Sequence, residues 1–176
     1  MWHKEILFAI EGGVIVYGAA SMGALRAAEL HPFGMIGVGH VFEMYRDGVL
    51  EDDDEVALLH ASAEDGHRPI SEALVNLRDL ADAAVAANVI DRATADAAIA
   101  QLKALPYPQR SVRKLLELAP ALASFVKQPR TPLKERDALA LLERMQSGAE
   151  GPATKTRVER TVFFERLRQQ IEKERT

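Results

Sequence analysis

The chain has 176 residues, 48% of them hydrophobic and 27% charged, with a formal net charge of −4 and no cysteine. That composition buries one core and fits a single soluble cytosolic domain with a helical extension. The acidic balance argues against nucleic acid as a main partner, and the missing thiol excludes disulfides, thiolate metal sites and a persulfide of the protein's own.

Lys4 to Glu11 reads as a helix that leads through Gly12-Gly13 into Val14-Ile15-Val16-Tyr17, a β-branched and aromatic run that predicts a buried strand. Glu11 and the two glycines break the early apolar run and no basic flank precedes it, so it predicts neither a signal peptide nor a membrane span. Gly18-Ala19-Ala20-Ser21-Met22-Gly23 then passes into Ala24 to Leu30, nearly all strong helix formers. The order is strand, tight turn, helix, with Ser21 at the helix N-terminus. Two readings stay open. Ser21 caps the helix, or it is a nucleophile at the C-terminal edge of a sheet, where the helix dipole and the backbone N–H groups of Met22 and Gly23 favour a developing negative charge. The second is the logic of a nucleophile elbow, although Gly18-x-x-Ser21-x-Gly23 is one residue longer than G-x-S-x-G. A serine nucleophile needs a base, and Lys4 is the nearest candidate upstream, because a desolvated lysine amine can take the proton. The alternative is a solvated Lys4 paired with Glu5 or Glu11.

Pro32 and Gly34 stop the helix, Gly37-Val38-Gly39 predicts a flexible turn, and His40 to Arg46 predicts a helix ended by Gly48. The acid run Glu51-Asp52-Asp53-Asp54-Glu55 precedes Val56 to His60, an apolar stretch that suits a strand or a helix start. The run reads as a solvated turn in preference to a Mg²⁺ site, because adjacent carboxylates seldom converge on a cation. A third reading has some of these carboxylates orienting Lys4 or Arg46. His60 and His67 read as hydrogen-bonded structural residues. Arg26 lies more than one turn beyond Ser21, so it pairs with a carboxylate and supports the site without touching substrate.

The rest is helical. Ile70 to Asn88 carries a stripe of Leu74, Leu77, Leu80, Ala81 and Ala84; Asp91 caps a helix to about Leu105; another runs from Ser111 to Leu118; Thr131-Pro132 opens a fourth. Gln146 to Pro152 reads as a linker before a last amphipathic helix, Lys155 to Glu174, with Val158, Val162, Phe163, Leu167 and Ile171 on one side for packing on the body or docking a partner. The predicted class is α/β: a small few-stranded parallel or mixed sheet with helices, followed by a helical C-terminal half. The divisions are a core over 1–76, a helical portion packed on it over 77–146, and linker plus helix over 147–176.

Four runs carry a resemblance to a known family: Trp2-His3-Lys4-Glu5-Ile6-Leu7, Tyr17 to Leu30, Gly34-Met35-Ile36-Gly37-Val38-Gly39, and Asp53-Asp54-Glu55-Val56-Ala57. With Tyr45-Arg46-Asp47-Gly48, His60 and Arg68 to Ala73, they resemble, in the same order, the TfuA-like family to about Asn76. The resemblance implies a protein that works beside a YcaO-type enzyme, which activates a peptide amide with ATP so that oxygen is exchanged for sulfur. It implies that the sulfur comes from hydrolysis of the C-terminal thiocarboxylate of a small ThiS-like carrier by a Ser-Lys pair. Ser21 and Lys4 are the matching positions; Arg26, Tyr45, Arg46, Asp54, Glu55 and His60 are candidates for support or partner binding. No cofactor or metal of its own is expected. Family members carry a further segment with a strand before the tryptophan that is Trp2 here, so the sheet is expected to lack that neighbour. A noncatalytic adaptor that strengthens YcaO binding to its peptide is the alternative function. An ordinary esterase finds no support, since no Ser-His-Asp order with elbow spacing is present.

Overall fold

The computed structural model describes residues 3–148, 159 and 161–174. Trp2, the later part of the expected linker and the expected helix start at Lys155 lie outside the described residues. Helix α1, His3–Glu11, ends at Gly12, and Val14 N–H closes back on the Ala9 carbonyl at 2.9 Å. That closure keeps Val14 and Ile15 in the connector, 56% and 52% exposed, and the strand β1 begins only at Tyr17 and ends at Ala19. The expected buried strand over Val14 to Tyr17 is therefore displaced toward the turn. Helix α2, Met22–Leu30, crosses to strand β2, Ile36–Val38, which pairs parallel with β1 in the register Tyr17↔Ile36, Gly18↔Gly37, Ala19↔Val38. Gly37 thus lies in a strand and not in the expected turn. A Cβ there would stand 2.1 Å from the Phe42 ring, so the glycine admits helix α3, His40–Arg46, onto the strand face.

The segment after the acid run is neither strand nor helix; His60 makes an isolated antiparallel bridge to Pro69. Helices α4 (Leu74–Ala86), α5 (Arg92–Lys103) and α6 (Val112–Leu118) follow. Asp91 caps α5 by accepting from Thr94 N–H at 2.7 Å and Ser111 caps α6 by accepting from Lys114 N–H at 3.1 Å. Helix α4 divides two apolar clusters. Its Val75 joins Ile6, Ala24, Leu30, Val41, Phe42 and Val56 around the sheet. Leu74, Leu77 and Ala81 join Ile99, Leu102, Leu115 and Leu122 on the other side.

Helix α7, Leu133–Gln146, returns to the sheet, contributing Leu133 to the first cluster and packing on β1, β2 and α3. Its buried Asp137 accepts from the backbone N–H groups of His40 at 3.0 Å and Val41 at 2.8 Å, doing for α3 what no local residue does. Helix α8, Val162–Glu174, lies on α1 through Phe164, whose ring meets Phe8 edge-on at 5.6 Å. Phe164 is buried whereas Phe163 is 76% exposed, so the expected stripe through Val162 and Phe163 is not the packed face. No helix among the described residues is long and apolar enough to cross a membrane.

Candidate active site

β1 ends in a two-residue turn, Ala20 and Ser21. Ala20 takes φ +65°, a left-handed conformation that costs an alanine roughly 1 kcal/mol. Packing holds it there: Gly18 and Gly23 are so close that a Cβ on Gly18 would meet the Gly23 carbonyl oxygen at 2.1 Å. Ser21 then stands at the head of α2, and its carbonyl accepts from Ala24 N–H at 2.9 Å. The hydroxyl does not cap the helix. It leans instead toward the Val56 carbonyl, 3.5 Å away. Among the described residues the Met22 and Gly23 N–H groups have no hydrogen-bond acceptor within the chain, so the head of α2 keeps two unused donors one and two residues on from Ser21.

Lys4 is engaged elsewhere. Its ammonium donates to Thr161 Oγ1 ahead of α8, and no hydrogen bond joins it to Ser21. The first turn of α1 rests on the middle of α2, where His3 Nε2 lies 2.6 Å from Glu29 Oε2 and 3.1 Å from Arg26 Nη1. Arg26 pairs with Glu29 at 2.6 Å, the carboxylate partner expected of it. Burial pushes the Glu29 carboxyl up, but the bonds from Arg26 and His3 outweigh it and hold the group below its ordinary value. His3, Lys4 and Glu5 line a cavity of about 510 Å³ with Phe163 and Leu167.

The acid run is solvated at Glu51, Asp52 and Asp53 as expected, but Asp54 is half-buried and Glu55 buried, and its carboxylates are bonded to neither Lys4 nor Arg46. Glu55 is 3% exposed and takes both arms of Arg78 at 3.0 Å, with Lys103 Nζ also at 3.0 Å. Lys103 reaches Asp52 and Asp54 at 2.7 Å each. Burial would lower the Lys103 pKa, yet its three carboxylates hold it above the usual lysine range. Arg110, 1% exposed, donates to the Asp54 carboxylate at 2.5 Å, to the Asp54 carbonyl at 2.8 Å, and to the carbonyls of Leu102, Lys103 and Leu105. The run is a clamp between the sheet and α5, and what hid it from the sequence is the distance along the chain to its cationic partners. Among the described residues no group of His, Cys, Asp or Glu is arranged to hold a metal.

Tyr45 is buried and donates to the Asp52 carbonyl at 2.8 Å; burial, helped by Glu55 and Asp53, pushes its phenol up. Arg46 is exposed, paired with Asp47 at 2.7 Å and stacked over Phe42 at 5.4 Å. His60 is exposed, with Nδ1 2.9 Å from the His67 carbonyl. None of the three is hydrogen-bonded to Ser21.

Sequence reasoning missed Lys134. Its Nζ donates to the Val56 carbonyl at 2.7 Å, the same oxygen toward which Ser21 Oγ leans. Burial of the ammonium lowers its pKa below the usual lysine value, against the opposing pull of Glu72. One signal was available: a lysine in the first turn of a helix opposes the macrodipole.

The chain belongs to the TfuA-like family, whose model, described as TfuA-like protein, matches residues 1–111. That family is associated with YcaO-dependent thioamidation. No curated protein matches the chain. The matched span holds Lys4, Ser21 and the acid run, and Lys134 lies beyond it.

Proposed function

We propose that this protein supplies sulfur to a YcaO enzyme during peptide thioamidation by hydrolysing the C-terminal thiocarboxylate of a ThiS-like carrier, with Ser21 as nucleophile. The observation that supports it best is the turn at Ala20, a left-handed alanine that presents an uncapped serine hydroxyl beside two N–H groups without acceptors. A capping serine would spend its oxygen on the helix; this one does not. Ser21 Oγ attacks the thiocarboxylate carbon and its proton passes to a lysine amine, the pairing the resemblance implies. The Met22 and Gly23 N–H groups donate to the tetrahedral oxyanion. Collapse breaks the C–S bond and expels sulfide, which takes up the proton and leaves an acyl ester on Ser21. Water, deprotonated by the same amine, cleaves the ester to the carrier carboxylate. Release beside the enzyme-activated amide places sulfide where it is consumed.

The test is sulfide release and carrier mass with purified chain and thiocarboxylated carrier alone. Ser21→Ala is expected to lose at least about a thousand-fold in rate, as removal of a serine nucleophile does. It should unfold within a few degrees of the parent, since the bond it removes is a long one at 3.5 Å. A parent that leaves the carrier's sulfur in place while still raising YcaO affinity for its peptide would replace this reading with the adaptor.

A further inference from the structure

We propose that helix α8 is a built-in brake: by holding the Lys4 ammonium on Thr161 it withholds that lysine from Ser21 until the helix is lifted. The inference rests on the nucleophile reading above, with the Lys4 partner that the resemblance implies, and adds its regulation. Its ground is where the Lys4 side chain goes. The ammonium donates to Thr161 Oγ1, directly ahead of α8, and no hydrogen bond joins it to Ser21. A lysine that serves as base must meet the hydroxyl it deprotonates.

The backbone around Lys4 is already in place. His3 Nε2 lies 2.6 Å from Glu29 Oε2 and 3.1 Å from Arg26 Nη1, both on α2, the helix headed by Ser21. Further along α1, Ile6 is buried in the same core as Ala24 and Ala27 of α2. The first turn of α1 is thereby tied to the element that carries the nucleophile, and only the lysine side chain points elsewhere. Lys4 lines a cavity of about 510 Å³ with His3, Glu5, Phe163 and Leu167, which gives its flexible four-carbon stem room to change direction once the acceptor is gone.

Helix α8 is lightly held. Among its described residues Phe164 is the only buried one, set edge-on to Phe8. Val162 and Phe163 are exposed, so the attachment runs through Phe164 and Thr161 and not through a continuous apolar stripe. Thr161 Oγ1 also accepts from Phe164 N–H at 3.3 Å, and the Thr161 carbonyl accepts from Glu165 N–H at 3.0 Å. One hydroxyl oxygen therefore caps α8 and holds Lys4, so opening the start of the helix releases the lysine. The helix lies beyond residues 1–111, the span of the family match, and the brake is an addition to the part that carries Ser21 and Lys4. Sulfide freed with no amide beside it diffuses away, so a hydrolase that serves a second enzyme wastes less when it is slow alone.

The experiment measures sulfide release from the thiocarboxylated carrier by the full chain and its variants, each with its thermal unfolding and with no other enzyme present. Thr161→Val keeps the side-chain shape and removes the acceptor; its rate should exceed the parent's by at least about tenfold, which is what one hydrogen bond to a charged group holds back. Thr161→Ser keeps the acceptor and should stay at the parental rate. Phe164→Ala loosens α8 without touching Thr161 and should also raise the rate, while trypsin cuts after Arg166 and Arg168 sooner than in the parent. The gain must run through Lys4, so adding Lys4→Ala to Thr161→Val should abolish it, whereas a general loosening of the fold would not depend on that amine. A Thr161→Val chain at or below a measurable parental rate overturns the brake, as does a gain that survives Lys4→Ala. Sulfide from none of the chains, or a parental rate in Ser21→Ala, overturns the nucleophile reading instead.

Discussion

Arg110→Ala removes a guanidinium that stands at 1% exposure between two halves of the molecule. It donates to Leu102 O at 3.1 Å, Leu105 O at 3.0 Å and Lys103 O at 3.2 Å, which together cap the C-terminus of α5. Nη1 donates to the Asp54 carbonyl at 2.8 Å, and Nη2, which also serves the Lys103 carbonyl, donates to the Asp54 carboxylate at 2.5 Å. Breaking a buried pair from one side costs about 3–5 kcal/mol. Water can reach Asp54, whose side chain is 35% exposed, so the lower end applies, about 3 kcal/mol. At roughly 2–4 °C per kcal/mol for a chain of this size, the Tm should fall by about 6–12 °C. Arg110→Lys restores the charge without the fork and should recover only part of that. Burial pushes the Asp54 carboxyl up, but Arg110 and Lys103 hold it below its ordinary value. A lowered carboxylate pKa stabilises fully above the unfolded value, near pH 4, and the gain is lost as pH falls through the folded one. The gap between parent and Arg110→Ala should therefore narrow below about pH 4. Thermal unfolding followed by circular dichroism across pH 2 to 8 measures both. A Tm within 2 °C of the parent at pH 7 would refute the clamp.

Gly18→Ala puts a methyl group 2.1 Å from the Gly23 carbonyl oxygen and 2.8 Å from Met35 Cε, so β1 and the start of α2 must separate. A cost of about 1–3 kcal/mol is expected, and sulfide release should fall further than stability does, because Ser21 moves with α2; an unchanged rate at reduced Tm would contradict this. Asp137→Ala deprives His40 and Val41 of a buried carboxylate acceptor and should cost about 2 kcal/mol, as charged hydrogen bonds do. Urea unfolding reads the loss, and a midpoint equal to the parent's would show that α3 needs no cap from α7.

What local pattern encodes was legible. Asp91 and Ser111 begin helices because each accepts a bond from the residue three positions on. The strand–turn–helix order around Ser21 was also legible, since small residues before a helix former mark a close turn, but the second strand was not. Gly37 misled because a strand glycine that exists to admit a ring looks, in sequence, like a glycine that bends the chain. Val14 and Ile15 have strand chemistry but no partner strand, so their propensity goes unused. The acid run and Lys134 were illegible for one reason: their meaning lies in Lys103, Arg110 and Val56, many residues away, and no periodicity announces a contact across that distance.

Asp137 binds backbone groups 97 and 96 residues earlier in the chain. On the ribosome, the strands and Ser21 emerge early yet stay without Leu133 in their core and without a cap on α3 until α7 follows. The packing of α4 on α5 and of α5 on α6 is closer along the chain and can settle before that. Nascent chains halted near residue 111, where the family match ends, would present the β1–α2 turn without the helix that covers the sheet. The half that carries Ser21 is thus synthesised first and completed last, which leaves the β1–α2 turn without its covering helix until the molecule is nearly whole.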